Sequence, residues 1–172
     1  MNKISIVGSS GSGKSTTAVK LGNILDLPVY HLDKYFQRPG WVMVDLEVMM
    51  RTNLELVQKD KWIIDGNYIS TMDFRFSEAD TIIFLDFSRI KCLSNVFHRF
   101  IRFHGKSRPD VGTDCRESLD FELVKWIWDY PKRFRPITYE KIELFGKGRE
   151  AFILKNPKEV NDFLQNLRPQ QV

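Results

Sequence analysis

Short apolar runs rich in Ile, Val and Phe alternate along the chain with longer segments whose apolar residues recur at helical spacing. That alternation predicts a parallel sheet covered by helices. Five strands are expected, at residues 3–8, 28–33, 62–66, 81–86 and 150–155. Between them, Leu46, Met49, Met50, Leu54 and Val57 form one stripe, and Ile90, Leu93, Phe97, Phe100 and Ile101 a second. Val160, Phe163, Leu164 and Leu167 form a third, and each stripe is expected to face the core.

The pattern breaks in a long insert between the fourth and fifth strands, about residues 87–149. Within it, His104 to Asp114 has no period, and its glycines and proline predict a mobile loop. Leu119 to Tyr130 reads as a helix that Pro131 kinks or ends, and Pro136 is able to start another. No internal repeat or low-complexity segment interrupts the chain, so residues 1–172 read as a single domain. From Arg168 onward a frayed tail is expected.

Composition narrows the class. The 172 residues are 42% hydrophobic and 28% charged, which suits a folded domain and rules out disorder as the main state. Cys92 and Cys115 can make no disulfide framework and form no C-x-x-C pair, so a reducing compartment is the natural reading. The first residues run straight into a strand without a signal-peptide stretch, and no apolar run approaches the roughly 18 residues needed to span a bilayer. A cytoplasmic protein with no membrane role is therefore expected. The net charge of +4 fits an anionic partner without requiring nucleic acid.

The strongest chemical signal is Gly8-Ser9-Ser10-Gly11-Ser12-Gly13-Lys14-Ser15-Thr16, a full match to the phosphate-binding loop G-x-x-x-x-G-K-[ST]. A strand precedes it and a helical segment follows, so backbone N–H groups and the helix N-terminus can cradle phosphate oxygens. Lys14 would reach the β- and γ-phosphates of ATP, and the Ser15 hydroxyl would bind Mg²⁺. A dinucleotide-binding loop would need a third glycine where Lys14-Ser15-Thr16 stands. Such loops work with a second carboxylate at a strand end. Asp65 and Asp86 both qualify, and Asp65 is preferred because Gly66 leaves room for a ligand.

Further runs resemble a known family. Tyr30 to Trp41, Trp62-Ile63-Ile64-Asp65-Gly66-Asn67-Tyr68, Arg108-Pro109-Asp110 and Trp126 to Pro131 are similar to the adenylate-kinase-like proteins called DNA topology modulation proteins, over nearly the whole chain. The layout of Asp33 and Asp65-Gly66 also resembles nucleoside monophosphate kinases. The resemblance implies an α/β P-loop NTPase fold: a five-stranded parallel sheet ordered 2-3-1-4-5, helices on both faces and a lid insert. It also implies an adenine-binding loop near Lys155-Asn156-Pro157, whose alternative is a plain strand-to-helix turn. The sequence departs from monophosphate kinases after Asp65-Gly66: Asn67 and Tyr68 stand where those enzymes have an arginine, and the next arginine is Arg75.

Phosphoryl transfer runs on positioning and charge neutralisation, so a kinase of this kind needs arginines that arrive as a lid closes. The segment at about 103–118 is the expected lid, with Arg102, Arg108 and Arg133 as its catalytic arginines. Arg99 shares a helix side with Arg102, and Arg116 and Arg135 lie beside the group. Asp33, Arg38, Asn67 and Arg75 are expected on the acceptor side, since the second and third strands end facing the phosphate loop. Asp33 could take a proton from an acceptor hydroxyl, and the arginines could bind an anion. The alternative is a capping Asp33 with surface arginines. His31, His98 and His104 lack metal-site spacing, and the tryptophans are expected to pack more than to stack on a base.

Two functions remain open. One is an ATP-dependent kinase acting on a nucleotide or another small-molecule acceptor. The other is a regulatory ATP-binding protein or slow ATPase working through nucleic acid or a protein partner. The Phe97 to Arg108 stretch mixes basic and aromatic residues as a nucleic-acid surface would, but the low net charge disfavours that as the main role.

Overall fold

The computed structural model of the chain describes residues 1–167, so the tail expected from Arg168 lies outside the described residues. Five parallel strands form the main sheet: β1 (Lys3–Gly8), β2 (Val29–His31), β5 (Trp62–Asp65), β6 (Thr81–Leu85) and β7 (Glu150–Leu154). Their spatial order is β2-β5-β1-β6-β7, which is 2-3-1-4-5 when these five are counted along the chain. A separate antiparallel hairpin, β3 (Gln37–Arg38) with β4 (Val42–Met43), was not legible in the sequence. The second strand is shorter than expected, because the chain turns into a short helix, α2 (Leu32–Phe36), straight after His31.

Successive residues of the buried strands feed opposite faces, as the two-residue strand period requires. Ile64, Ile82 and Phe84 meet α3 (Leu46–Val57), α4 (Met72–Glu78) and α7 (Arg135–Phe145) in one apolar layer. Ile63, Ile83 and Leu85 meet α1 (Lys14–Leu25), α5 (Arg89–Phe103) and α8 (Pro157–Asn166) in the other. Register brings Ile6 beside Asp65 and Gly8 beside Leu85, so the ends of β5 and β6 flank the turn that leaves β1.

The helical stripes divide. Val160 and Leu164 of α8 are buried as expected. In α3 the buried positions are Met49, Asn53, Leu56 and Val57, while Leu46, Met50 and Leu54 face outward. A polar residue can occupy that stripe because the Asn53 amide donates to the Met49 carbonyl at 3.0 Å. In α5, Cys92 and Val96 are the buried residues, and Ile90, Phe97 and Ile101 are exposed. The inner face of that helix is set by a close backbone approach, described below, that admits only small side chains.

The helix α6 (Phe121–Arg133) runs through Pro131 instead of ending there, and α7 starts at Arg135 with Pro136 in its first turn. Pro131 lies in the last turn of α6, where the chain is already turning: the Phe134 N–H bonds to the Tyr130 carbonyl at 3.0 Å. Between α5 and α6 the chain has no helix, and isolated bridges pair His104 with Glu117 and Ser107 with Arg116. Trp41 Nε1 donates to the Arg116 carbonyl (2.8 Å), Gly40 N to the Asp114 carbonyl (3.3 Å) and Cys115 Sγ to the Arg38 carbonyl (3.2 Å), so this segment is fastened to the β3–β4 hairpin. No helix among the described residues is long and apolar enough to cross a membrane.

Trp62 is the largest fully buried side chain, and its Nε1 donates to the Val57 carbonyl at 3.3 Å. Trp62→Ala is expected to lower the unfolding free energy by about 3–5 kcal/mol, read from the shift of the urea midpoint. A shift under about 1 kcal/mol would show that the β5–α3 layer is not packed as described.

Candidate active site

Residues 8–13 form the turn from β1 into α1. Gly11 has φ +78°, and a Cβ there would fall 2.3 Å from the Cys92 carbonyl oxygen of α5. Only glycine allows both the conformation and the contact. Asn95 Nδ2 then donates to the Gly11 carbonyl at 2.7 Å, fixing the loop to α5. Gly13, at φ +91°, is the N-cap of α1 and contributes no side-chain cap, so the first N–H groups of a twelve-residue helix are open to an anion.

Lys14 Nζ donates to the Ser9 carbonyl at 3.0 Å, curling over the loop. Burial pulls its pKa below the usual lysine value, with Asp33 and Asp65 partly opposing. Ser15 Oγ donates to Asp65 Oδ2 at 2.9 Å, and His31 Nδ1 lies 2.5 Å from Asp65 Oδ1. Burial alone would depress the His31 pKa; the hydrogen bond and charge of Asp65 outweigh it and raise the value. Asp86, the other strand-end carboxylate, is engaged by Arg135 Nη2 at 2.5 Å and by the Tyr139 hydroxyl at 2.8 Å. Hard oxygen donors from Ser15 and Asp65, side by side on the cavity wall, fit Mg²⁺. Among the described residues no cluster of three His, Cys, Asp or Glu side chains could hold a metal by itself.

The loop opens on a cleft with two lobes, of about 710 Å³ and about 570 Å³, that share Ser10, Lys14, Asp33, Arg99 and Arg108. The first lobe also takes in Ser15, Thr16, Asp65, His98 and Arg102. Gln37, Trp41, Asn67, Tyr68 and Trp126 line the second. Asp33 lies in the first turn of α2, on the boundary between them, and its Oδ1 accepts from the Tyr68 hydroxyl at 2.7 Å. Burial pushes the Asp33 pKa above the ordinary carboxylate value, although Tyr68 and Lys14 pull the other way. Burial and the neighbouring Asp33 also raise the Tyr68 phenol well above its usual value.

Glu117, whose side chain is 1% exposed, receives Arg99 Nε on Oε1 and Arg108 Nε on Oε2, both at 2.7 Å. Arg108 Nη1 also reaches Asp110 Oδ2 at 2.7 Å. This gathers two arginines of the sequence-based group at the shared wall and leaves Arg102 in the first lobe.

Three expected site arginines lie elsewhere. Arg133 is exposed at the end of α6 and lines neither lobe; the position after it, Phe134, turns the chain so that Arg135 meets Asp86. Arg38 is exposed on the outer side of the hairpin, with only its carbonyl engaged, by Cys115. Arg75 is fully buried, donating to the Gly66 carbonyl at 2.8 Å and the Tyr68 carbonyl at 3.1 Å, and burial lowers its pKa to about 10. It braces the turn after β5 and lines neither lobe. Asn67, from the same expectation, does line the second lobe. Lys155 to Pro157 forms the start of α8: Asn156 Oδ1 accepts from Glu159 N (3.0 Å) and Glu159 Oε2 from Lys155 N (2.6 Å), a reciprocal cap.

Sequence reasoning missed Glu117, Tyr68, Gln37 and the His31–Asp65 contact. Tyr68 carries a weak signal, following Asp65-Gly66 closely; Glu117 and Gln37 lie in segments without period and carry none.

No family model matches the sequence, and no curated protein matches it. Among solved structures the chain is similar to a shikimate kinase from Acinetobacter baumannii in complex with shikimate, at 14% identity and TM-score 0.61, covering 97% of this chain and 90% of that one. It is similar to a shikimate kinase from Bacteroides thetaiotaomicron at 17% identity and TM-score 0.54, covering 95% and 94%. A sugar kinase from a Janibacter species matches at 14% identity and TM-score 0.54, covering 97% and 98%. At these identities the likeness establishes the fold alone: a five-stranded parallel sheet flanked by helices, as in those kinases.

Arg75→Met should lower the unfolding free energy by about 1–3 kcal/mol, because the substitution removes the side-chain donor to the buried Gly66 carbonyl and one of the donors to the Tyr68 carbonyl, which Thr71 also serves. Urea denaturation measures this, and a stability within about 0.5 kcal/mol of wild type would remove the bracing role.

Proposed function

We propose that the protein is an ATP- and Mg²⁺-dependent phosphotransferase that moves the γ-phosphoryl group to a hydroxyl of a small molecule. The observation that carries this reading is that both lobes of one cleft share Lys14 and Asp33. A cation for the transferred group and a carboxylate for the acceptor proton stand at the only boundary such a reaction would cross. The similarity of Tyr30 to Trp41, Trp62 to Tyr68 and Trp126 to Pro131 to the adenylate-kinase-like DNA topology modulation proteins is consistent with it.

In this reading the backbone N–H groups of residues 8–16 bind the phosphates, and Ser15 and Asp65 hold the metal ion. Bound Mg²⁺ would neutralise charge on the phosphate oxygens. Lys14 binds the transferred group, and Arg99, Arg102 and Arg108 add positive charge where it develops. The segment 103–118 acts as the lid over that centre. Asp33 orients the acceptor hydroxyl and accepts its proton as the acceptor oxygen bonds to the γ-phosphorus. The bond from that phosphorus to the bridging oxygen breaks, and ADP leaves with the electron pair. A raised carboxyl pKa suits this, since it makes the carboxylate a stronger proton acceptor.

Lys14→Ala is expected to reduce ATP turnover by about 10²-fold or more, measured as ADP release. Asp33→Asn separates chemistry from folding. A carboxyl whose folded-state pKa is raised contributes stability below its unfolded pKa and loses it as pH rises through the folded value. The charged form of Asp33 is therefore the one its burial disfavours, and removing the charge removes that cost. The Asn variant should lose about 10²-fold or more in acceptor-dependent kcat while its thermal midpoint at pH 7 equals or exceeds that of wild type. Wild-type acceptor kinetics, or a clearly lower midpoint, would count against Asp33 as the base.

A further inference from the structure

The second lobe is built for more than a hydroxyl. Its volume of about 570 Å³ suits a molecule the size of a sugar joined to a ring system. Trp41 and Trp126 line it, and both rings are held: Trp41 through its bond to the Arg116 carbonyl, Trp126 by stacking on Phe134 at 5.4 Å and 29°. Met43 and Leu123 extend this apolar wall. Such surfaces favour a flat ring over a compact polyol.

Two buried polar atoms on side chains of this lobe have no partner, Gln37 Oε1 and Asn67 Nδ2. The other end of each amide is engaged, which fixes its orientation. Gln37 Nε2 donates to the Tyr68 hydroxyl (3.3 Å) and lies 3.6 Å from Met43 Sδ; Asn67 Oδ1 accepts from Gly8 N (3.4 Å) and from the Tyr130 hydroxyl (3.3 Å). One acceptor and one donor are therefore left over beside the aromatic wall, where a bound molecule or water would match them.

Charge excludes the other obvious acceptors. The cations of this lobe are Lys14, Arg99 and Arg108, all on the boundary with the phosphate lobe, and Glu117 already takes the Nε of both arginines. Away from that boundary the charged side chains are Glu117 and Asp120, both acids, the second capping α6. Arg38 and Arg75, the residues that could have bound an acceptor anion, lie outside. A carboxylate or phosphate held against the tryptophan wall, away from that boundary, would find no counter-ion.

From this we infer that the second lobe takes a neutral, hydroxyl-bearing compound with a flat heterocycle, of the nucleoside class, and discriminates against hydroxy acids and nucleoside monophosphates. The ring lies against the tryptophan wall, its polar edge meets Gln37 and Asn67, and a sugar hydroxyl reaches Asp33. Phosphorylation of that compound rests on the phosphotransferase reading; its binding does not.

The test uses the full chain with Mg²⁺ and a non-hydrolysable ATP analogue. Calorimetry and tryptophan fluorescence are followed for the common ribo- and deoxyribonucleosides, their 5′-monophosphates and shikimate, and ADP release is measured in parallel with ATP. At least one nucleoside is expected to bind about tenfold or more tightly than its monophosphate and than shikimate, and Gln37→Leu to weaken it by about tenfold. If that variant fails to fold, the wild-type selectivity decides alone. Nucleoside binding without nucleoside-stimulated ADP release would uphold the inference and sink the phosphotransferase reading. Stimulation by an anionic compound alone would do the reverse. Absence of saturable binding by any nucleoside overturns the inference.

Discussion

The Cys92 carbonyl of α5 occupies the space that the first side-chain carbon of any other residue would need at Gly11, and much of the site follows from that contact. It presses the phosphate loop onto the start of α5, and the Asn95 amide locks the two together. Arg99 follows Asn95 by one turn and Arg102 by two, so both are carried on the face that meets the loop. The spacing between Lys14 and these arginines is thus set by a rigid helix and not by a flexible side chain. The same constraint explains why α5 buries Cys92 and Val96 and leaves Ile90, Phe97 and Ile101 outside. Bulky apolar residues on the inner face would lift the loop away.

What could be read in the sequence was whatever rests on local pattern. The central strands β1, β5 and β6 are buried on both sides, so Ile63-Ile64 or Ile82-Ile83-Phe84-Leu85 appear as unbroken apolar runs. The phosphate loop is a contiguous motif whose geometry is local. Helix faces were less legible, because in α3 and α5 the buried side is chosen by partners distant in sequence. Asn53 counts as polar in any pattern yet is fully buried; Ile101 counts as apolar yet is 63% exposed. Arg75 illustrates the same limit from the opposite side. An arginine near a phosphate-binding motif suggests an anion site, and only the fold shows that its guanidinium serves the carbonyls of Gly66 and Tyr68.

The two strand-end carboxylates show how register decides between equals. Asp65 ends β5 and Asp86 follows β6, the two strands flanking β1, and each closes a buried run. Asp65 is level with Ile6, two residues before the loop begins, which sets it under Ser15. Asp86 is one residue beyond the pair of Gly8 with Leu85, and there the α7 residues Arg135 and Tyr139 reach it. Neither partner is close to Asp86 in sequence, so the preference for Asp65 read from the sequence rested on Gly66 alone.

Glu117 resolves an electrostatic difficulty that the cleft would otherwise have. Arg99 and Arg108 are largely withdrawn from water, and each lies near a second guanidinium and near Lys14. Burial and the charge of Arg108 accordingly lower the pKa of Arg99. Without a counter-ion the cost of holding these cations together would open the segment above them. Glu117 offers an oxygen to the Nε of each arginine and Asp110 takes Arg108 Nη1, so two carboxylates balance two guanidiniums without using the terminal guanidinium nitrogens of Arg99. The further positive charge lies in Lys14, which borders both lobes, and in Arg102, which lines the first alone. On the phosphotransferase reading, an acidic residue in a segment with no sequence period thereby helps set a cation-rich half of the cleft apart from a half with few cations.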